Sequence, residues 1–141
     1  MKRWALWGLM AVLLAVLMVT GMRQPVLTLE DVVEALERAG LQVAGQETVR
    51  RPLLGNGARI ALGADGGHTL ETFIYGSREE QERFEVGDGG YRVTDGNTTV
   101  SLEWFSPQTA IRHRNVLIMM PADSPVLPKV QAAVLAWGMV D

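Results

Sequence analysis

Hydrophobic and polar positions change rhythm several times along this chain, and each rhythm predicts an element. From Trp4 to Met22 the residues read WALWGLMAVLLAVLMVTGM, apolar and uncharged, with only Gly8, Thr20 and Gly21 as weak points. A helix apolar all round has no side to offer water, and the run reaches the length of about 20 residues that a hydrocarbon core requires. Beyond Pro25 the period becomes helical. Leu29, Val32, Val33 and Leu36 form one stripe, while Glu30, Glu34, Glu37 and Arg38 face water. Thr28 stands three residues before Asp31 as in a capping box, and Gly40 stops the helix so that Leu41 can fold back on Leu36.

The period then shortens to two. Leu41 to Val49 predicts a modest strand, Arg50 to Gly57 an irregular stretch, and Ala58 to Leu62 a short strand. Asp65, Gly66 and Gly67 form a turn before a better strand, Thr69 to Tyr75, with Leu70, Thr72 and Ile74 on one face and Phe73 and Tyr75 on the other. Ser77 with Glu80 opens a short charged helix through Phe84, anchored by Phe84 and Val86 alone. Tyr91 to Thr94 and Thr98 to Trp104 predict a hairpin around Asp95, Gly96 and Asn97, with Val100, Leu102 and Trp104 toward a core. Pro107 starts a connecting loop, and VLIMM, Val116 to Met120, suits a central strand closed by Pro121. Asp123 or Ser124 caps a last helix, with Pro125 in its first turn and Leu127, Val130, Val134 and Trp137 as its buried stripe.

Turn-sized connections between these strands favour hairpins over parallel crossovers. The expected fold class is therefore α+β: a mostly antiparallel sheet with helices packed on one face, preceded by an N-terminal transmembrane helix. Residues 1–25 form the anchor or signal segment and residues 26–141 the domain.

Charge orients the first segment. Lys2, Arg3 and the terminal amine precede the apolar run and only Arg23 follows it closely, which places the start in the cytoplasm and the domain outside. Trp4 and Trp7 would then lie at the inner interface, with Leu13, Leu14 and Leu17 in the bilayer. The competing reading is a cleaved secretory signal with Val19, Thr20 and Gly21 as its exit site. Those three residues resemble the ending that bacterial lipoproteins carry before a lipidated cysteine. Here Met22 occupies that position and the chain has no cysteine, so a lipid thioether is impossible and the expectation moves to an uncleaved single-pass anchor in the cell membrane.

The missing cysteines also exclude a disulfide framework, a zinc ribbon and a thiol nucleophile. Lys2, Arg3 and Arg23 take three of the 13 basic residues, leaving ten against 16 acidic ones in the domain. Such an acidic domain lacks the basic face that phosphate neutralisation needs, so nucleic acid is not an expected partner.

The stretch YRVTDGNTTVSLEWFSP, the short basic loop, NVLIMM and the terminal helix resemble a family of small bacterial extracytoplasmic lipoproteins and membrane-anchored proteins of unknown function. LEDVVEALERAGLQV and ETFIYGSREEQERF fit the same pattern: an early helix ending in Ala-Gly-Leu, then a strand running into a capped helix. The resemblance implies a location and a fold, and no activity.

Candidate chemistry is sparse. His68 and His113 stand far apart and match no metal-ligand spacing, and strand alternation sends His68 and Glu71 to opposite faces while Asp65 belongs to a turn. No Gly-x-Ser-x-Gly or Ser-x-x-Lys surrounds Ser77, Ser101, Ser106 or Ser124. Glu79, Glu80, Glu82 and Glu85 read as a solvated helix face. No catalytic residue, metal or cofactor is expected. Arg112, His113 and Arg114 form the one local basic cluster, a solvated loop or a contact with anionic headgroups at about 1 kcal/mol per basic residue. The expected function is a non-enzymatic binding or interaction domain of the cell envelope, its partners the lipid bilayer and an envelope protein. An envelope hydrolase and a secreted inhibitor are the alternatives.

Overall fold

The computed structural model describes residues 26–87 and 89–140. Its elements run α1 (Leu29–Arg38), β1 (Val43–Arg51), β2 (Gly55–Leu62), β3 (His68–Ile74), α2 (Arg78–Glu82), β4 (Phe84–Gly87), β5 (Gly90–Asp95), β6 (Thr98–Glu103), β7 (Gln108–His113), β8 (Val116–Pro121) and α3 (Leu127–Val140). The fold is α+β and every strand pairing is antiparallel. Among the described residues no helix is long and apolar enough to cross a membrane. The run from Trp4 to Met22, with Trp4, Trp7, Leu13, Leu14 and Leu17, lies outside them.

Two sheets divide the strands. A five-stranded sheet has the order β1-β2-β3-β8-β7, and a three-stranded sheet the order β4-β5-β6. Helices α1 and α3 cover one face of the larger sheet. Val32 and Leu36 of α1 and Val130, Ala133 and Val134 of α3 meet Ile60, Leu62, Leu70, Val116, Ile118 and Met120 in one buried cluster. The small sheet packs on the opposite face. There Phe84 and Tyr91 meet Leu54, Phe73, Leu117 and Met119 in a second cluster. VLIMM is continuous because β8 is buried on both faces, as its place between β3 and β7 requires.

Local chemistry explains the ends of α1. Thr28 accepts from the Asp31 amide at its cap, and Asp31 reciprocates to the Thr28 N–H at 2.8 Å. At the far end Gly40 adopts φ +87°, Gly40 N–H donates to Glu37 O and Leu41 N–H to Leu36 O, both at 3.0 Å, which is the Schellman pair.

Several expectations need correcting. The stretch after Pro107 is not a connecting loop, because Gln108–His113 forms edge strand β7 against β8. Its alternation is masked: Ile111 packs with the helix-side cluster and Ala110 with the other, while Gln108 and Arg112 are polar. Phe84 ends no helix; it opens β4 of the separate sheet. The irregular stretch Arg50 to Gly57 is mostly strand, with β1 running to Arg51 and β2 starting at Gly55. Trp104 is half-buried at the rim of the second cluster instead of inside a core, and Val100 is 43% exposed. Helices α1 and α3 lie on one face, and the small sheet packs on the other.

Candidate binding cleft

The small sheet covers only part of the larger sheet's second face, and a cleft opens beside it. Strand alternation places Glu47 of β1, Arg59 of β2 and Glu71 of β3 in register across this face. Arg51, near the end of β1, reaches Glu71 through both carboxylate oxygens, Nε to Oε1 at 2.6 Å and Nη2 to Oε2 at 2.5 Å. Arg59 donates to Glu47 at 2.6 Å and lies 3.9 Å from Glu71. Two guanidinium groups thus balance two carboxylates, and the hydrogen bond to Glu71 pushes the Arg51 pKa up against the opposing cost of burial.

Around this network two depressions of about 190 and 430 Å³ share Arg51, Glu71, Gln108 and Met119. Trp104, Phe105 and Ser106 wall the smaller one, and Thr69 and Pro121 border the larger. Phe105 is fully exposed. Trp104 is held by its neighbours: its ring lies 4.8 Å from that of Tyr91 and its N–H donates to Gly89 O at 3.0 Å. A larger groove of about 580 Å³ runs along α1 beside Gln46, but its apolar floor is only Leu29 and Val33 and its rim is exposed glutamate. The cleft is the better candidate because aromatic, apolar and paired polar groups converge there.

A strained turn sets Arg51 in place. Leu54 N–H donates to Pro52 O at 2.8 Å, a bond two residues apart, and Leu53 between them has φ +68°. This is the rare γ-turn with positive φ, unfavourable for any residue that carries a Cβ. Two phenols hold it. Tyr91 Oη donates to Pro52 O at 2.5 Å and Tyr75 Oη to Leu54 O at 3.1 Å. Burial pushes both phenols above the ordinary tyrosine value, so they stay protonated donors. Phe73 packs so tightly over Gly57 that a Cβ there would lie 2.7 Å from its ring. Strained backbone held in place by its surroundings clusters at ligand-binding and active sites.

The basic cluster divides. Arg112 donates to Phe84 O on the small-sheet side, while His113 stacks on Trp137 of α3 at 5.5 Å. Burial, then Arg114 and Arg78, hold the His113 pKa below its usual value. Arg114 occupies the β7–β8 turn at φ +51°. Next to it, buried Asn115 clasps the chain where it enters the domain: its Oδ1 accepts from Leu27 N–H at 2.9 Å, and its Nδ2 donates to Leu27 O at 2.8 Å and Tyr75 O at 3.0 Å.

The other candidate residues stay apart. His68 pairs with Leu62 on the helix-facing side of β3, opposite to Glu71, and Asp65 accepts from Gly67 N–H within its own turn. Among the described residues no three metal-ligating side chains gather. Ser77 caps α2 by accepting from Glu80 N–H, and the Glu80 carboxylate binds the Gly76 amide. Sequence reasoning missed the Arg51–Glu71 network, the γ-turn and Asn115. Period-two spacing of Glu47, Val49 and Arg51 was the available signal for the network. Compared with known proteins, the chain matches no family model, no curated protein and no solved structure.

Proposed function

We propose that this protein is a non-enzymatic binding module of the bacterial cell envelope, held outside the cytoplasm by an uncleaved N-terminal helix and binding its partner through the cleft beside the small sheet. The observation that carries the reading is the balanced Arg51–Glu71–Arg59–Glu47 network beside Phe105. Catalysis requires an acid, base or nucleophile poised to react, whereas these carboxylates are engaged by guanidinium groups. An exposed aromatic beside planar polar groups of zero net charge suits recognition of a neutral, hydrogen-bonding envelope component.

The uncharged run from Trp4 to Met22 and its flanking basic residues support the anchor, and the resemblance of YRVTDGNTTVSLEWFSP and NVLIMM to small envelope proteins supports the compartment. The Asn115 clasp holds the β7–β8 turn against Leu27, which follows the proposed anchor segment by two residues. A turn at that position suits the basic cluster Arg112, His113 and Arg114 for the neighbourhood of anionic headgroups.

Photocrosslinking in intact spheroplasts tests the reading. A photoreactive residue at Phe105 should give a discrete adduct that disappears with Glu71→Ala, and one at Glu34 on α1 should not give it. An S106C variant should be labelled from outside by a membrane-impermeant maleimide. Labelling only after lysis would overturn the location, and equal adducts from both positions would overturn the cleft.

A further inference from the structure

We propose that β6 is a pairing edge whose occupant is β6 of a second copy of this chain. In the three-stranded sheet β6 has a neighbour on one side only. The pair Asp95 and Thr98 closes a two-residue hairpin turn with Gly96 at φ +60°, and Trp104 N–H reaches back to Gly89 O. In an antiparallel ladder alternate residues bond the same neighbour, so Thr98, Val100 and Leu102 face β5. The N–H and C=O groups of Thr99, Ser101 and Glu103 therefore point away from it.

Each of the other sheet edges carries a device that discourages pairing. Strand β1 presents Glu47, Arg50 and Arg51 and has a register irregularity between Val43 and Gly45. Strands β7 and β4 close on each other through the Arg112 bond to Phe84 O, and β4 is only four residues long. Strand β6 has six exposed or half-exposed residues, TTVSLE, in unbroken register with β5, without proline, bulge or basic side chain. An edge of that kind is a template for another strand.

Charge and shape select a second copy. Two β6 strands related by a twofold axis at Ser101 put Ser101 opposite its mate, Thr99 opposite Glu103 and Val100 opposite Leu102. The strand's one charge then meets a hydroxyl and never another carboxylate, and exposed Val100 gains an apolar neighbour. The symmetric pairing joins two small sheets into one of six strands.

The chain contains no cysteine, so single replacements report proximity cleanly. In the full-length protein in detergent, S101C should form a disulfide dimer under mild oxidation at least several-fold more readily than E34C on α1. Adding T99P removes an outward N–H at the edge, and should abolish that crosslink without altering the circular dichroism. Independently, S101K places like charges opposite each other and should shift sedimentation to the monomer. Equal crosslinking of S101C and E34C, or a dimer that survives S101K, overturns the proposal; so does an S101C crosslink that persists with T99P.

Discussion

The two faces of the five-stranded sheet are packed by different means. On the helix side the cluster is aliphatic and closed: Leu36, Ile60, Leu62, Ile118, Met120 and Val130 are each within about 1% of full burial. On the small-sheet side it is aromatic, and its polar handles are spent on the backbone, Tyr75 on Leu54 and Tyr91 on Pro52. Aliphatic packing needs no polar partner and tolerates no gap. Aromatic packing with hydroxyl anchors fixes a strained turn and still leaves an open cleft. The difference puts the tightest packing on one side and, on the function proposed above, recognition on the other.

The largest effect should come from the closed side. Ile118→Ala, at a residue 1% exposed and walled by both helices, should cost about 2–5 kcal/mol in chemical denaturation. A loss comparable to that of an exposed β6 position would erase the contrast. Asn115→Ala should follow, since it leaves Leu27 and Tyr75 backbone groups without their partner, and each buried group left unpaired costs about 1–3 kcal/mol. Its denaturation midpoint should fall, and Leu27 should become exchangeable with deuterium well before β8.

Smaller changes probe the open side. Tyr91→Phe keeps the ring and removes one hydrogen bond, so a loss of about 1 kcal/mol is expected, with faster amide exchange confined to Leu54 and its neighbours. Back on the helix side, where Thr72 pairs with Ile118, its buried hydroxyl has no hydrogen-bond partner, so Thr72→Val should leave stability unchanged or raise it slightly by thermal melting.

The weakest effect is pH-dependent. His113 has a folded pKa below its unfolded value, so the unfolded chain binds more protons as pH falls through the usual histidine range near 6.5. Stability is fully present above that range and declines on acidification. His113→Phe should flatten this part of the pH–stability curve, and an unchanged slope would assign the titration to another group.

Much of the architecture was legible from periodicity. The caps of α1, the faces of β3 and the burial of β8 all follow from spacing and residue type, because each is dictated by neighbours in the chain. The second sheet was not legible. Val86, Val93 and Leu102 alternate as any strand would, and alternation says which residues are buried without saying against what. Strand β7 was hidden because its two faces meet different environments, so His113 and Ile111 face α3 and the helix-side core while Arg112 faces the small sheet. The cleft depended on Arg51 and Glu71 meeting across twenty residues of sequence, a pairing set by register alone.

Native-state hydrogen exchange tests the division of labour most directly. The amides of Thr72, Phe73, Leu117 and Ile118, on the paired strands β3 and β8, should exchange only through global unfolding. Those of Val100, Leu102 and Leu54 should exchange by a smaller opening, at least about tenfold faster, while the first group stays protected. Equal protection of both groups would contradict this division, because the small sheet would then be as integral to the core as the central strands β3 and β8.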